Sequence, residues 1–161
     1  MIKLVSPVEN LENYLRQNRV EAKIIKFEHP TSTVEEAEKA LGVSKEQIIK
    51  TVIFTDENGV PIAAIVTGDL RVNEQKLAEM LGNTRVKIAR PSAVRNITGY
   101  DAGGVPPVGH TQQSRIMYLI DRKVMTFDKV YGGGGTKITM LEISPKDIKR
   151  LTNARIVDIT E

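Results

Sequence analysis

Between Thr31 and Gly42 the apolar residues fall at 34, 37, 40 and 41, behind a Thr33/Glu36 capping box and ahead of a terminating glycine. This spacing predicts an amphipathic helix. Ser44 and Gln47 repeat the box spacing, so a short helical turn through Ile48 is expected to lead into Lys50–Thr55, a run rich in β-branched residues that predicts a strand. Lys50 then sits where helix hands over to strand. Asn58-Gly59, between that strand and a second at Ile62–Thr67, predicts a type I′ turn with positive φ at both central residues and antiparallel pairing.

Asn73–Leu81 places Leu77, Met80 and Leu81 on one face before Gly82, predicting another helix, and Val86–Ile88 follows as a short strand. Pro91 to Ile97 reads as a helical turn. In Gly99–His110 glycines and prolines forbid regular structure, which predicts a loop of fixed shape. Strands are expected at Ile116–Ile120 and Val124–Val130, on either side of a turn at Asp121-Arg122-Lys123, and at Ile138–Ile143 after the glycine run Gly132–Gly135. Ser144-Pro145-Lys146-Asp147 opens a helix to about Leu151, with Ala154–Ile159 as a last strand. The second half reads mostly as a β meander. Hairpins with interspersed helices, and no repeat or linker, predict an α/β fold: a mixed, largely antiparallel sheet with flanking helices, in a single domain over residues 1–161.

Composition narrows the chemistry. Of the 161 residues 40% are hydrophobic, and no stretch approaches the roughly 18 consecutive apolar residues that span a membrane. The N-terminus runs from Met1–Pro7 into Glu9-Asn10-Leu11-Glu12-Asn13 without the apolar segment of a secretory signal, so a cytoplasmic location is expected. The absence of cysteine excludes disulfides, thiolate metal sites and cysteine nucleophiles. His29 and His110 are the only histidines and form no ligand pattern, so neither metal nor cofactor is expected. No Gly-x-Ser-x-Gly elbow occurs, and Gly132–Gly135 with Thr136-Lys137 lacks the spacing of a phosphate loop. A net charge of +3 permits contact with polyanions without requiring it.

What remains is Lys50 at the mouth of a strand and two glycine segments able to direct main-chain N–H groups at an anionic oxygen. From spacing alone a solvated strand-end charge is the commoner reading of Lys50, and Gly132–Gly135 is a hairpin tip or a flap. The Gly103–Gly109 loop stands apart, because Pro106-Pro107 holds its shape in a way a mere connector does not need.

The order Phe27-Glu28-His29, a helix, Lys50-Thr51 opening a strand, Thr67-Gly68-Asp69, Gly99-Tyr100 with Gly103-Gly104-Val105-Pro106-Pro107-Val108-Gly109, then Gly133–Gly135 before Ile138, resembles the YbaK/prolyl-tRNA-editing family of aminoacyl-tRNA deacylases. The resemblance runs from about Glu21 to Leu151. It implies a trans-editing enzyme that hydrolyses the ester of a mischarged tRNA carrying a small amino acid, often on tRNA for proline, with the tRNA acceptor end as partner. Lys50 matches the family's essential lysine and is the candidate catalytic residue. Gly103, Gly104 and Gly109 match the segment whose amides face the substrate carbonyl, and Gly133, Gly134 and Gly135 match a second glycine loop. His29, Thr51 and His110 complete the expected substrate-binding set, His110 either contacting the terminal adenosine or capping the loop. Val108 replaces a larger family residue, and glycines stand where alanine-clearing editors carry histidine and asparagine, which leaves the amino acid open. The alternative from another class is a non-catalytic module that binds an amino acid or an acylated RNA end.

Overall fold

The computed structural model describes residues 5–82 and 85–161. Its first element, the helix α1 (Pro7–Gln17), is not among the sequence expectations. Its signal was nevertheless present: Ser6 accepts the Glu9 amide at 3.2 Å, with Pro7 at the first helical position, the same device that opens α5 at Ser144-Pro145. α1 buries Leu11 and Leu15. The short strand β1 (Lys23–Lys26), also unforeseen, precedes the helix α2 (Val34–Leu41). In α2 the Thr33 hydroxyl accepts the Glu36 amide and the Glu36 carboxylate accepts the Thr33 amide, both at 3.1 Å, and Gly42 ends the helix at φ +70°.

A 3-10 turn at Lys45–Gln47 leads into β2 (Ile49–Asp56), which pairs antiparallel with β3 (Pro61–Thr67). The connection is not the expected type I′ turn, since positive φ is confined to Gly59. The Asp56 carboxylate accepts the amides of Asn58 and Val60 at 2.9 and 2.8 Å, and the Asp56 amide reaches the Val60 carbonyl. A three-residue loop closed by a left-handed glycine therefore replaces the two-residue turn, and Asn58 escapes the left-handed region.

α3 (Glu74–Met80), β4 (Val86–Ile88) and α4 (Pro91–Thr98) follow, then β5 (Met117–Asp121), β6 (Val130–Gly133), β7 (Thr139–Ile143), α5 (Pro145–Thr152) and β8 (Arg155–Val157). The predicted strand Val124–Val130 is corrected: Val124–Thr126 is a 3-10 turn and β6 starts only at Val130. The buried Asp121 carboxylate accepts the amides of Lys123 and Ile159, turning the chain and sinking Val124 into the core.

The strands form two sheets, β1-β7-β6 and β4-β2-β3-β5-β8, bridged where Ile48 meets Tyr131. The second half is no meander, because β5 runs parallel to both β3 and β8. Antiparallel pairing still dominates, at β1–β7, β2–β3, β2–β4 and β6–β7. β3 is buried along its whole length, with Ala63 and Ile65 in one apolar cluster and Ile62, Ala64 and Val66 in another on the opposite face. That two-sided burial explains its uninterrupted apolar sequence. No helix among the described residues is long and apolar enough to cross a membrane.

Candidate functional site

β4 pairs with β2 only from Phe54 to Asp56, and the last link is the Ala89 amide on the Ile53 carbonyl at 2.8 Å. Odd-numbered residues of β2 direct their main-chain groups away from β3, so the N–H and C=O of Thr51 face an edge that β4 no longer covers. Along that edge lies a cavity of about 640 Å³. One wall is Thr31–Thr33 leading into α2 with Val34 and Ala37 of α2, a second is Ile88 of β4, the link Ala89-Arg90, and Pro91 and Val94 of α4, and the far side is Ala102, Gly103, Val105 and Gly133. Its size falls in the range of small-ligand sites.

Lys50 and Thr51 both line this cavity, Lys50 from the β2 face that carries Val52 and Phe54. The Lys50 ammonium donates to the Leu70 carbonyl at 2.6 Å, in the turn after β3, and keeps two further N–H groups for other acceptors. Burial, and then the Arg71 charge, hold the Lys50 amine below the usual lysine range, while Asp69 and Glu35 work to raise it.

The two glycine segments meet each other more than they meet the cavity. The Gly135 amide donates to the Gly104 carbonyl at 2.8 Å, the Gly104 amide to Asp101, and the Gly134 amide to Thr139. A Cβ on Gly104 would stand 2.8 Å from the Thr136 main chain, and one on Gly133 would collide with the Val105 carbonyl. These glycines allow backbones to pack. Gly103 differs: it is on the cavity wall, its amide has no main-chain acceptor among the described residues, and a Cβ there would meet only the side chains of Lys137 and Ser32, at 3.3 to 3.5 Å.

Gly109 and His110 lie away from the cavity. Gly109, at φ +82°, packs against Leu11 and Tyr14, and its carbonyl accepts the Tyr100 hydroxyl. His110 is buried, its ring stacked on Tyr118, with Nε2 2.6 Å from the Pro106 carbonyl and Nδ1 2.6 Å from the Tyr118 hydroxyl. Since a carbonyl only accepts, Nε2 carries the hydrogen and Nδ1 accepts from Tyr118. Burial lowers the imidazole pKa to about 4, against the hydrogen bond to Pro106 that works to raise it. His110 thus locks the Pro106-Pro107 loop from behind, with no nitrogen left for an adenosine. His29 is exposed and outside the cavity wall.

Of the expected set the structure brings together Lys50, Thr51, Gly103 and Gly133; Gly104, Gly134 and Gly135 support them, and Gly109, His110 and His29 stand apart. Sequence reasoning missed Arg90 and Ser32 on the walls, Lys137 beside Gly103, and the Leu70 carbonyl that holds Lys50. The helix-entry pairs Ser32-Thr33 and Arg90-Pro91 were the available signal. Among the described residues no group of three or more His, Cys, Asp or Glu could hold a metal ion.

Comparison with known proteins bears on this cavity. The aminoacyl-tRNA editing domain matches residues 28–151. The chain is 27% identical over 128 residues to EbsC of Enterococcus faecalis, a proposed Cys-tRNA(Pro)/Cys-tRNA(Cys) deacylase, covering 80% of this chain and 77% of that one. It is 36% identical over 115 residues to the proline–tRNA ligase of Desulforamulus reducens, covering 71% of this chain but only 20% of the ligase. The crystal structure of a proposed trans-editing enzyme for prolyl-tRNA synthetase superposes with a TM-score of 0.89 at 29% identity, covering 99% of both chains. With the matched segment carrying every wall of the cavity, the chain belongs to the aminoacyl-tRNA editing domain family.

Proposed function

We propose that the chain acts as one domain that hydrolyses the ester of a mischarged tRNA, releasing a small amino acid, with tRNA for proline as the first candidate. The observation that carries this reading is the convergence of Lys50 and Gly103 on one cavity whose edge also offers the main-chain groups of Thr51. The names of EbsC and of the superposed trans-editing enzyme support the same substrate class.

In this mechanism the 3′-terminal nucleotide enters between α2 and α4, and the Lys50 ammonium holds a phosphate or the ester carbonyl. Water adds to the carbonyl carbon, the Gly103 N–H donates to the resulting oxyanion, and the ribose oxygen leaves with a proton as the free hydroxyl. The products are the amino acid and uncharged tRNA. Among the described residues no carboxylate or histidine lines the cavity wall to act as base, and orientation with charge stabilisation is sufficient for an activated ester. The apolar contributions of Val34, Ala37, Val94 and Met140 favour a small side chain, and size exclusion by a methylene yields about 10- to 200-fold selectivity.

The test is a single-turnover deacylation panel of alanyl-, seryl-, cysteinyl- and prolyl-tRNA(Pro) with wild type and Lys50→Ala. Release of one small amino acid by wild type, reduced roughly 100- to 1,000-fold in the variant, is the expected result. Saturable binding without turnover would leave the site a binding module instead.

A further inference from the structure

We propose that the Asp69–Lys123 ion pair is a positioning device for Lys50, fixing the turn whose Leu70 carbonyl receives the lysine ammonium. The proposal rests on the reading of Lys50 as the working cation of the cavity. The turn between β3 and α3 is pinned at every step. The Gly68 amide donates to the Ile48 carbonyl at 2.5 Å, and a side chain at Gly68 would strike Lys45 O and Val34 Cγ1 at 2.9 Å. Beyond Leu70, the Arg71 carbonyl accepts the Glu161 amide at 3.2 Å and Val72 bridges to Thr160. Between these anchors, Asp69 takes the Lys123 ammonium at 2.6 Å, and Glu46 from the 3-10 turn stands 3.7 Å from the same nitrogen.

The carbonyl that receives Lys50 is therefore adjacent in sequence to a carboxylate clamped by a distant part of the fold. Lys123 follows β5, 54 residues away in sequence, so the clamp ties the site to the central sheet. Asp69 and Lys123 are only 24% and 31% exposed, which makes the pair better defined than the more open surface bridges of this protein, such as Arg95–Asp101. Burial works to raise the Asp69 carboxyl, but the Lys123 hydrogen bond and charge hold it below the usual range, so it stays ionised as a fixed negative charge.

Among the described residues, the charges of Arg71 and Asp69 from the turn and of Glu35 from α2 act on the Lys50 amine. Asp69 thus has two separable effects, one of position through Lys123 and Leu70 and one of charge on Lys50. Removing it is expected to let the turn drift and to lower the pH at which Lys50 loses its proton. Removing Lys123 loosens the same turn but takes away no negative charge.

The test follows the Lys50 side-chain Cε resonance by NMR through a pH titration, assigned by its loss in Lys50→Arg, for wild type, Asp69→Asn, Asp69→Glu and Lys123→Met, alongside single-turnover deacylation and thermal melting. Asp69→Asn is expected to lower the Lys50 midpoint and reduce the rate roughly 10- to 100-fold, because small misplacements of a reacting group are costly. Lys123→Met is expected to slow the rate roughly 10-fold with no fall in the midpoint, and Asp69→Glu to restore the midpoint. If the Lys50 midpoint in Asp69→Asn equals that of wild type, or if Lys123→Met keeps the full rate, the proposal is overturned. A wild type without deacylase activity would defeat the hydrolase reading alone, since the titration reads Lys50 without turnover.

Discussion

Lys50 and His110 are both ionisable groups taken out of water beside a glycine segment, yet the structure uses them in opposite ways. His110 is buried with both ring nitrogens engaged, by the Pro106 carbonyl and the Tyr118 hydroxyl. Lys50 is half-buried on a cavity wall with, among the described residues, one acceptor for three donors. A group whose hydrogen-bonding capacity is exhausted belongs to the framework, and one left under-satisfied at a cavity is available to a ligand. Under the proposed function the two residues divide the labour of a single site: His110 stiffens the loop whose front presents Gly103, and Lys50 supplies the charge opposite.

The largest effect should come from exchanging the two truncations. Lys50→Ala is expected to slow deacylation roughly 100- to 1,000-fold while leaving the melting temperature near wild type, since it removes one half-buried cation. His110→Ala should do the reverse. It strands the Pro106 carbonyl and Tyr118 hydroxyl and opens a cavity, at a cost of about 3 kcal/mol, with activity retained wherever the variant stays folded. Melts and single-turnover rates on the two proteins decide it. If His110→Ala lost its rate without losing stability, His110 would belong with Lys50.

Acid sharpens the same contrast. The His110 pKa is depressed to about 4 in the folded protein, below its unfolded value, so the unfolded state binds the proton first. Stability is then fully present above the unfolded pKa, near 6.5, and is lost as pH falls toward about 4. The loss attributable to this residue is about 3 kcal/mol. Urea titrations between pH 7 and 4 on wild type and His110→Asn should differ by that slope, and parallel curves would contradict the assigned burial.

Within one loop the division falls between neighbours. Gly104→Ala drives a methyl into the Thr136 and Gly135 main chain, 2.8 to 2.9 Å away, and should destabilise by about 1 to 3 kcal/mol. Gly103→Ala meets only the flexible Lys137 stem and Ser32, so it should fold nearly as well as wild type but crowd the cavity and slow turnover. Equal stability losses would mean that the two glycines share one role.

Much of this was readable in the chain because local chemistry agreed with the fold. The capping box of α2, the Ser144-Pro145 entry to α5 and the β-branched run of β2 each describe their own element. What could not be read depended on distant partners. Parallel pairing of β5 with β3 and β8 is set by the crossovers, and the 3-10 turn at Val124 by an Asp121 carboxylate that serves the main chain at Ile159. For the candidate site, Lys50 stands out in the sequence only through its resemblance to a family, since its acceptor is the main chain of Leu70 twenty residues on. For His110 the sequence leaves adenosine contact and loop cap both open, because its position beside a glycine loop gives no sign of Tyr118 stacked behind it; both ring nitrogens are engaged as a loop cap requires. α1 is a different case, an element whose cap was legible and went unread.

The smallest effect concerns the rim. Arg90 is exposed, lies on the cavity wall beside Pro91, and makes no ion pair among the described residues, so it is placed to meet a phosphate of the entering strand rather than the reacting ester. Its contribution should be electrostatic and screened, because the terminal nucleotides are single-stranded and each neutralised phosphate adds about 0.7 to the slope of log affinity against log salt. Arg90→Ala is therefore expected to raise KM roughly two- to fivefold at low salt, to leave kcat unchanged, and to flatten the salt slope by about 0.7. Deacylation measured from 50 to 300 mM salt on both proteins reads all three. A fall in kcat at constant KM would move Arg90 from the rim to the reacting centre and would give Lys50 a second cation to share its work.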